Sequence, residues 1–263
     1  MFSLFEKKQI LDEDSVQWML DCYEWALRNL DASVFYNETR LVYPNNDFFP
    51  GEENSPAAKS QLILEQVKKH AQMDQWPVRL VDEDTYLDSS FVASAPRLMI
   101  EGNVRGSNAL APKLDIAENA LFILYQPGLL SNPQALIANY SQMLANYLAH
   151  TAKEAPPGGS DNWPALTEMI AVYLGFGLMY ANTSGNVRIN SCGSCQAPVA
   201  NRVNYLSQFD ATYALAIFVL LKNIDPREVK PYLKKTLHTF FKKALAELRL
   251  RENDMARLRS YGK

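Results

Sequence analysis

The sequence is short of the residues that build metal clusters and disulfide frameworks. Its 263 residues include only three histidines, His70, His150 and His238, so a His-rich metal site is excluded. The three cysteines, Cys22, Cys192 and Cys195, are too few and odd in number for a disulfide scaffold, a usage that fits a reducing cytoplasm. Charge of either sign is not in excess: 26 Lys and Arg face 29 Asp and Glu, a net charge of -3. That balance gives no global attraction to nucleic acid or to an anionic membrane, and neither is expected as a partner. Long apolar runs are lacking too. Ala211–Leu221 and Met169–Ala181 are too short, or too broken by glycine, to cross a bilayer. The start, MFSLFEKKQILDEDS, has no basic region followed by an apolar one, so no secretory signal is expected. There is no Gly-x-Ser-x-Gly nucleophile motif, and PPGGS at Pro156–Ser160 lacks the Gly-Lys-Ser/Thr ending of a phosphate loop.

What is present is apolar: 48% of the residues are hydrophobic, enough for a substantial core. Val16, Met19, Leu20, Tyr23, Leu27 and Leu30 recur at helical spacing and predict a helix over Asp14–Leu30. The stretch YPNNDFFPGEENSPAAK reads as a structured loop, after which Ser55-Pro56 opens a helix over Ala57–Met73. Strands are expected near Val78–Val81, Arg97–Glu101, Lys113–Ile116 and Ala120–Tyr125. The second half reads as helices starting at Asn132-Pro133, at Pro164, at Ser207 and at Pro231. The last of these would carry Leu233, Leu237, Phe240, Phe241, Leu245 and Leu248. No repeat, low-complexity tract or linker interrupts the chain. The expected fold is α+β, mostly helical with a small mixed sheet in the first half, in one domain over 1–263. Residues 1–130 would supply helices plus the sheet, and 131–263 a helical half.

Two helices of that half hold the chemically interesting residues. Asn146 and His150 sit one turn apart on one face, at the edge of the apolar arc formed by Leu136, Tyr140, Leu144, Tyr147 and Leu148. Glu168 is the only charged residue between Ala165 and Ala181. A helix that is apolar all round is a buried one, and a buried carboxylate needs a partner. Candidates are a metal, protonated His150, Arg202 or helix N-terminal amides. Glu168 reads equally as a satisfied first-turn residue of a core helix and as a site carboxylate.

The stretch LTEMIAVYLGFGLMYANTS, Leu166 to Ser184, resembles uncharacterised bacterial zinc-metallopeptidase-like proteins of the gluzincin kind. DFFPGEENSPAAKSQLILEQV, NYLSQFDATYALAIFVLLK and VKPYLKKTLHTFFKKAL match the same group in the same order, so the resemblance covers about two thirds of the chain. It implies a zincin-like fold in which one helix carries His-Glu-x-x-His and a later helix supplies an acidic ligand. By position, His150 matches the second metal histidine and Glu168 the acidic ligand. Asn146 stands where the first histidine belongs, and Tyr147 where the catalytic glutamate belongs. Catalytic zinc wants three protein ligands and a water whose proton a glutamate accepts. Asn146 offers only a neutral oxygen, and a tyrosine is too weak a base at neutral pH. The motif is degenerate, so peptide hydrolysis is not expected and no cofactor is required.

Cys192-Gly-Ser-Cys195 leaves three readings open: two unligated loop thiols, a metal pair or a redox pair. In the metal reading, Cys192 and Cys195 would join His150 and Glu168 in a rebuilt zinc site. The first functional reading is therefore a cytoplasmic pseudo-metallopeptidase that binds an unidentified small ligand or protein. The alternative is a metal protein or enzyme using the rebuilt site. The ten Lys and Arg against four Asp and Glu in Arg227–Arg259 read as the solvated face of a helix. Trp18, Trp25, Trp76 and Trp163 read as core or loop anchors.

Overall fold

The computed structural model describes residues 10–88, 98–114, 120–184 and 204–262. It is mostly helical, with two short two-stranded sheets among the described residues. Helix α1 (Glu13–Asn29) starts where the Asp12 side chain accepts the N–H of Ser15, and it buries the predicted Val16, Met19, Leu20, Tyr23 and Leu27. The one-turn-and-a-half helix α2 (Ala32–Asn37) follows Asp31, which is left-handed with φ 58°. Helix α3 (Pro56–His70) is capped by Ser55, as the Ser-Pro pair implies. Strand β1 (Val78–Val81) is followed by α4 (Glu83–Asp88), β2 (Leu98–Met99), β3 (Lys113–Leu114) and β4 (Leu121–Leu124). β1 pairs in parallel with β4, and β2 antiparallel with β3. The expected mixture of strand directions is met by two separate pairs.

The helical half begins with α5 (Pro133–Ala149), capped by the Asn132 side chain. Then come α6 (Trp163–Ala171), a π turn over Val172–Phe176, and α7 (Gly177–Thr183). Helix α8 (Gln208–Leu221) opens on a capping box in which Ser207 and Asp210 satisfy each other's backbone N–H. Short α9 (Pro226–Val229) leads to α10 (His238–Leu250) and α11 (Glu252–Arg259). α5 lies against α3, α6 and α7, while α8 lies against α7 and α10. The hydrophobic core they enclose runs from Val16 to Leu258 and draws on both halves of the chain.

One expected helix starts later than its apolar pattern suggests. Pro231 lies in a single 3-10 turn, Lys230–Tyr232, and Leu233 is extended at φ -95° and ψ 140°. Leu233 and Leu237 are still buried, but from the connection ahead of α10. The reason is tertiary: the Asn182 side chain accepts the N–H of Lys234 at 2.9 Å and donates to the carbonyl of Tyr232 at 2.8 Å. These bonds hold the backbone open where helical periodicity alone would coil it.

Ser160–Thr183 is the one helical run among the described residues long and apolar enough to span a bilayer, and 89% of its most apolar window is buried inside the protein. It is not a straight rod. At Gly175, φ is 103°, and the Gly175 carbonyl accepts the N–H of Val42 at 2.9 Å. A Cβ at this position would lie 2.2 Å from the carbonyl oxygen of Arg40. The loop after α2 therefore crosses the helix where only glycine allows it. Gly175→Ala is expected to destabilise the fold by about 2–4 kcal/mol in chemical denaturation, since it adds both a left-handed strain and a backbone clash.

Candidate functional site

The residues at the four motif positions come from the last turn of α5 and the first turns of α6. Asn146 faces α6, where its Oδ1 accepts the indole N–H of Trp163 at 2.8 Å. Tyr147 is buried, and its hydroxyl donates to the Phe122 carbonyl of β4 at 2.6 Å. Burial pushes its pKa well above the ordinary tyrosine range, far from that of a base at neutral pH. His150 is the residue that ends α5. Its Nδ1 lies 2.7 Å from the Asn146 carbonyl, and its ring stands edge-on to Trp163 with centroids 4.6 Å apart. The side chain is otherwise exposed to solvent.

Glu168 is the opposite case, with 0% exposure. Its carboxylate accepts the backbone N–H of Leu206 at 2.7 Å and of Tyr205 at 3.2 Å. Those amides lie immediately ahead of Ser207, the cap of α8. Among the described residues the hydrogen-bond donors seen for Glu168 are these two amides, which precede the α8 cap and are not the helix N-terminal amides foreseen. The structure thus puts His150 at the surface and Glu168 in the interior, each engaged separately. Cys192, Cys195 and Arg202 lie outside the described residues.

The donor set does not fit a catalytic zinc centre. The Asn146 oxygen is taken by an indole and the Tyr147 hydroxyl by a strand, which leaves His150 Nε2 as the one nitrogen of that ring not held by the Asn146 carbonyl. Among the described residues, no group of three His, Cys, Asp or Glu side chains is placed to hold a metal ion. The same region is pinned from α1. Trp18 donates to the carbonyl of Pro157, and Trp25 to that of Glu154, each at 3.1 Å. Both carbonyls belong to the connection between α5 and α6. Trp76 likewise donates to the carbonyl of Val104 at 3.0 Å. All four tryptophans therefore act as anchors through their single N–H.

The larger opening lies at the other end of α5. A cleft of about 640 Å³ is walled by the 44–54 loop, the first turns of α3 and the N-terminus of α5. A second hollow of about 310 Å³ shares Asn132 and Gln134 with it and reaches Asn182 and Tyr232. The loop wall is held from α3: His70 Nε2 is 2.7 Å from the Phe48 carbonyl, and its ring packs between Phe48 and Phe49. On the far side, Gln134 accepts the Asn182 amide at 2.8 Å. The sequence predicts a structured loop here and no ligand for it. The available signal was the density of Asn and Pro around two Pro-initiated helices.

No family model, no curated protein and no solved structure matches the chain.

Two outcomes follow from these contacts. Glu168→Ala strands the buried Leu206 amide and the part-buried Tyr205 amide, so a loss of about 2–4 kcal/mol is expected in denaturant titrations, with Glu168→Gln recovering part of it by keeping an oxygen acceptor. The second concerns pH. Burial lowers the His70 pKa, helped by Lys69 and opposed by the Phe48 carbonyl bond and Asp74. The unfolded chain thus holds more protons than the folded one just below the ordinary histidine range, and stability must fall as pH drops through that window. The thermal midpoint measured on acidification from neutral pH should decline less steeply in His70→Gln than in the native protein.

Proposed function

We propose that this protein is a zincin-like scaffold that has lost hydrolytic chemistry and acts by binding a small ligand or another protein. The observation that carries the reading is the internal use of the motif-position side chains. Asn146, Tyr147 and Glu168 are spent on Trp163, on β4 and on the approach to α8. Groups committed to holding secondary structure together are poorly placed to ligate zinc or to activate water. The resemblance of Leu166–Ser184 to the zinc-metallopeptidase-like group supports a zincin-like origin for the α5–α6 pair. Binding is assigned to the cleft at the N-terminus of α5, because its volume falls within the range that holds small ligands. The sparse cysteines, with Cys22 a free buried thiol, agree with a reducing cytoplasm.

The test is chemical. Protein purified without added metal is expected to carry zinc far below one equivalent and to leave a fluorogenic peptide library uncut. Near-stoichiometric zinc that disappears in Cys192→Ser, together with cleavage of any library member, would overturn the reading. It would favour the rebuilt site of His150, Glu168, Cys192 and Cys195.

A further inference from the structure

We infer that the cleft between the 44–54 loop, α3 and α5 takes a neutral, polyhydroxylated ligand, a short oligosaccharide. The inference rests on the binding reading above and adds the ligand class. Its first support is the lining chemistry. Six of the residues that line the 640 Å³ cleft carry a side-chain carboxamide. A carboxamide offers donors and acceptors side by side, as a vicinal pair of sugar hydroxyls requires. The side chains of Asn46, Asn54 and Gln66 make no hydrogen bond to other described residues. Asn132 and Gln134 spend their oxygens on Ala135 and Asn182 and keep their NH₂ groups.

Charge is the second support. Glu52 and Glu53 on the loop are offset by Lys59 on α3 and by Lys234 in the adjoining hollow. The paired acids disfavour an anion and the lysines disfavour a cation, so the site suits a ligand without net charge. Third, the two isoleucines of the lining are withdrawn, while Leu62 and three prolines leave small apolar faces between the carboxamides. Ile63 and Ile137 are 8% and 3% exposed, so they belong to the core and offer little to a guest. The half-buried Phe49 ring is the aromatic face of the lining on which the C–H side of a pyranose can lie. A peptide fits less well. Among the described residues no strand borders the cleft to accept an added strand, and the lining carboxamides interrupt the apolar face that an amphipathic helix would need.

The experiment uses the full chain. A panel of neutral oligosaccharides of α- and β-linked hexose and N-acetylhexosamine is screened by ligand-observed NMR, with titration calorimetry on any member that binds. At least one member is expected to bind, and Gln66→Leu or Asn54→Ala to weaken it by about tenfold or more. Neither side chain holds the fold by a hydrogen bond, so the thermal midpoint should stay unchanged in both variants. Failure of the whole panel overturns the inference, as does binding that both variants leave intact. A neutral tetrapeptide that binds and is lost in Gln66→Leu also overturns it, while leaving the binding reading in place. Zinc-dependent cleavage of peptides would instead remove that reading, whatever the saccharides do.

Discussion

A carboxylate sealed from solvent, Glu168, takes the backbone N–H groups of Leu206 and Tyr205 and so joins α6 to the chain that enters α8. Burying such a charge without hydrogen bonds costs several kcal/mol or more, so the two elements must arrive together. The consequences spread through the helical half. Ser207 follows at once and closes its capping box with Asp210, which fixes where α8 begins. α8 then lies along α7 with its side chains from Ala211 to Val219 buried on all sides. An apolar helix with no polar face has no stable orientation of its own. Its placement here is set by polar bonds: Glu168 holds the chain just ahead of it, Gln208 donates to the Ala181 carbonyl, and Tyr213 donates to Glu247.

The same frugal use of polar groups governs the α5–α6 contact. Asn146 meets Trp163, Tyr147 meets β4, and His150 covers the edge of the indole. The connection between the two helices is rich in Pro and Gly and has little backbone pairing to stabilise it. Trp18 and Trp25 of α1 supply two bonds to its carbonyls. The side chains at these positions serve packing. The open surface lies at the opposite end of α5, where two helix starts and a Pro-rich loop leave room between them.

The π turn shows a second way in which a long apolar helix is made specific. Ser160–Thr183 is uniform enough in composition to slide or to straighten. Gly175 removes that freedom, because the loop at Arg40–Val42 passes where a side chain would stand and bonds to its carbonyl. The glycine was visible in the sequence as a helix-weakening residue needing compensation. The compensating backbone, more than a hundred positions away, was not.

Local chemistry was legible without coordinates. Ser55, Asn132 and Ser207 announce helix starts because each side chain reaches its own backbone a few residues on, and β1 and β4 follow from short apolar runs between turns. So was the isolation of one carboxylate in an apolar helix, and with it the need for a partner. The tertiary structure alone decided who that partner is, and it chose amides from a segment 37 and 38 residues downstream. It alone delayed α10 to His238, through Asn182, and opened the cleft between segments far apart in the chain. The division has a physical cause: caps and periodicity are settled within a turn or two of backbone, whereas burial is satisfied by whichever distant group the fold brings within hydrogen-bonding reach.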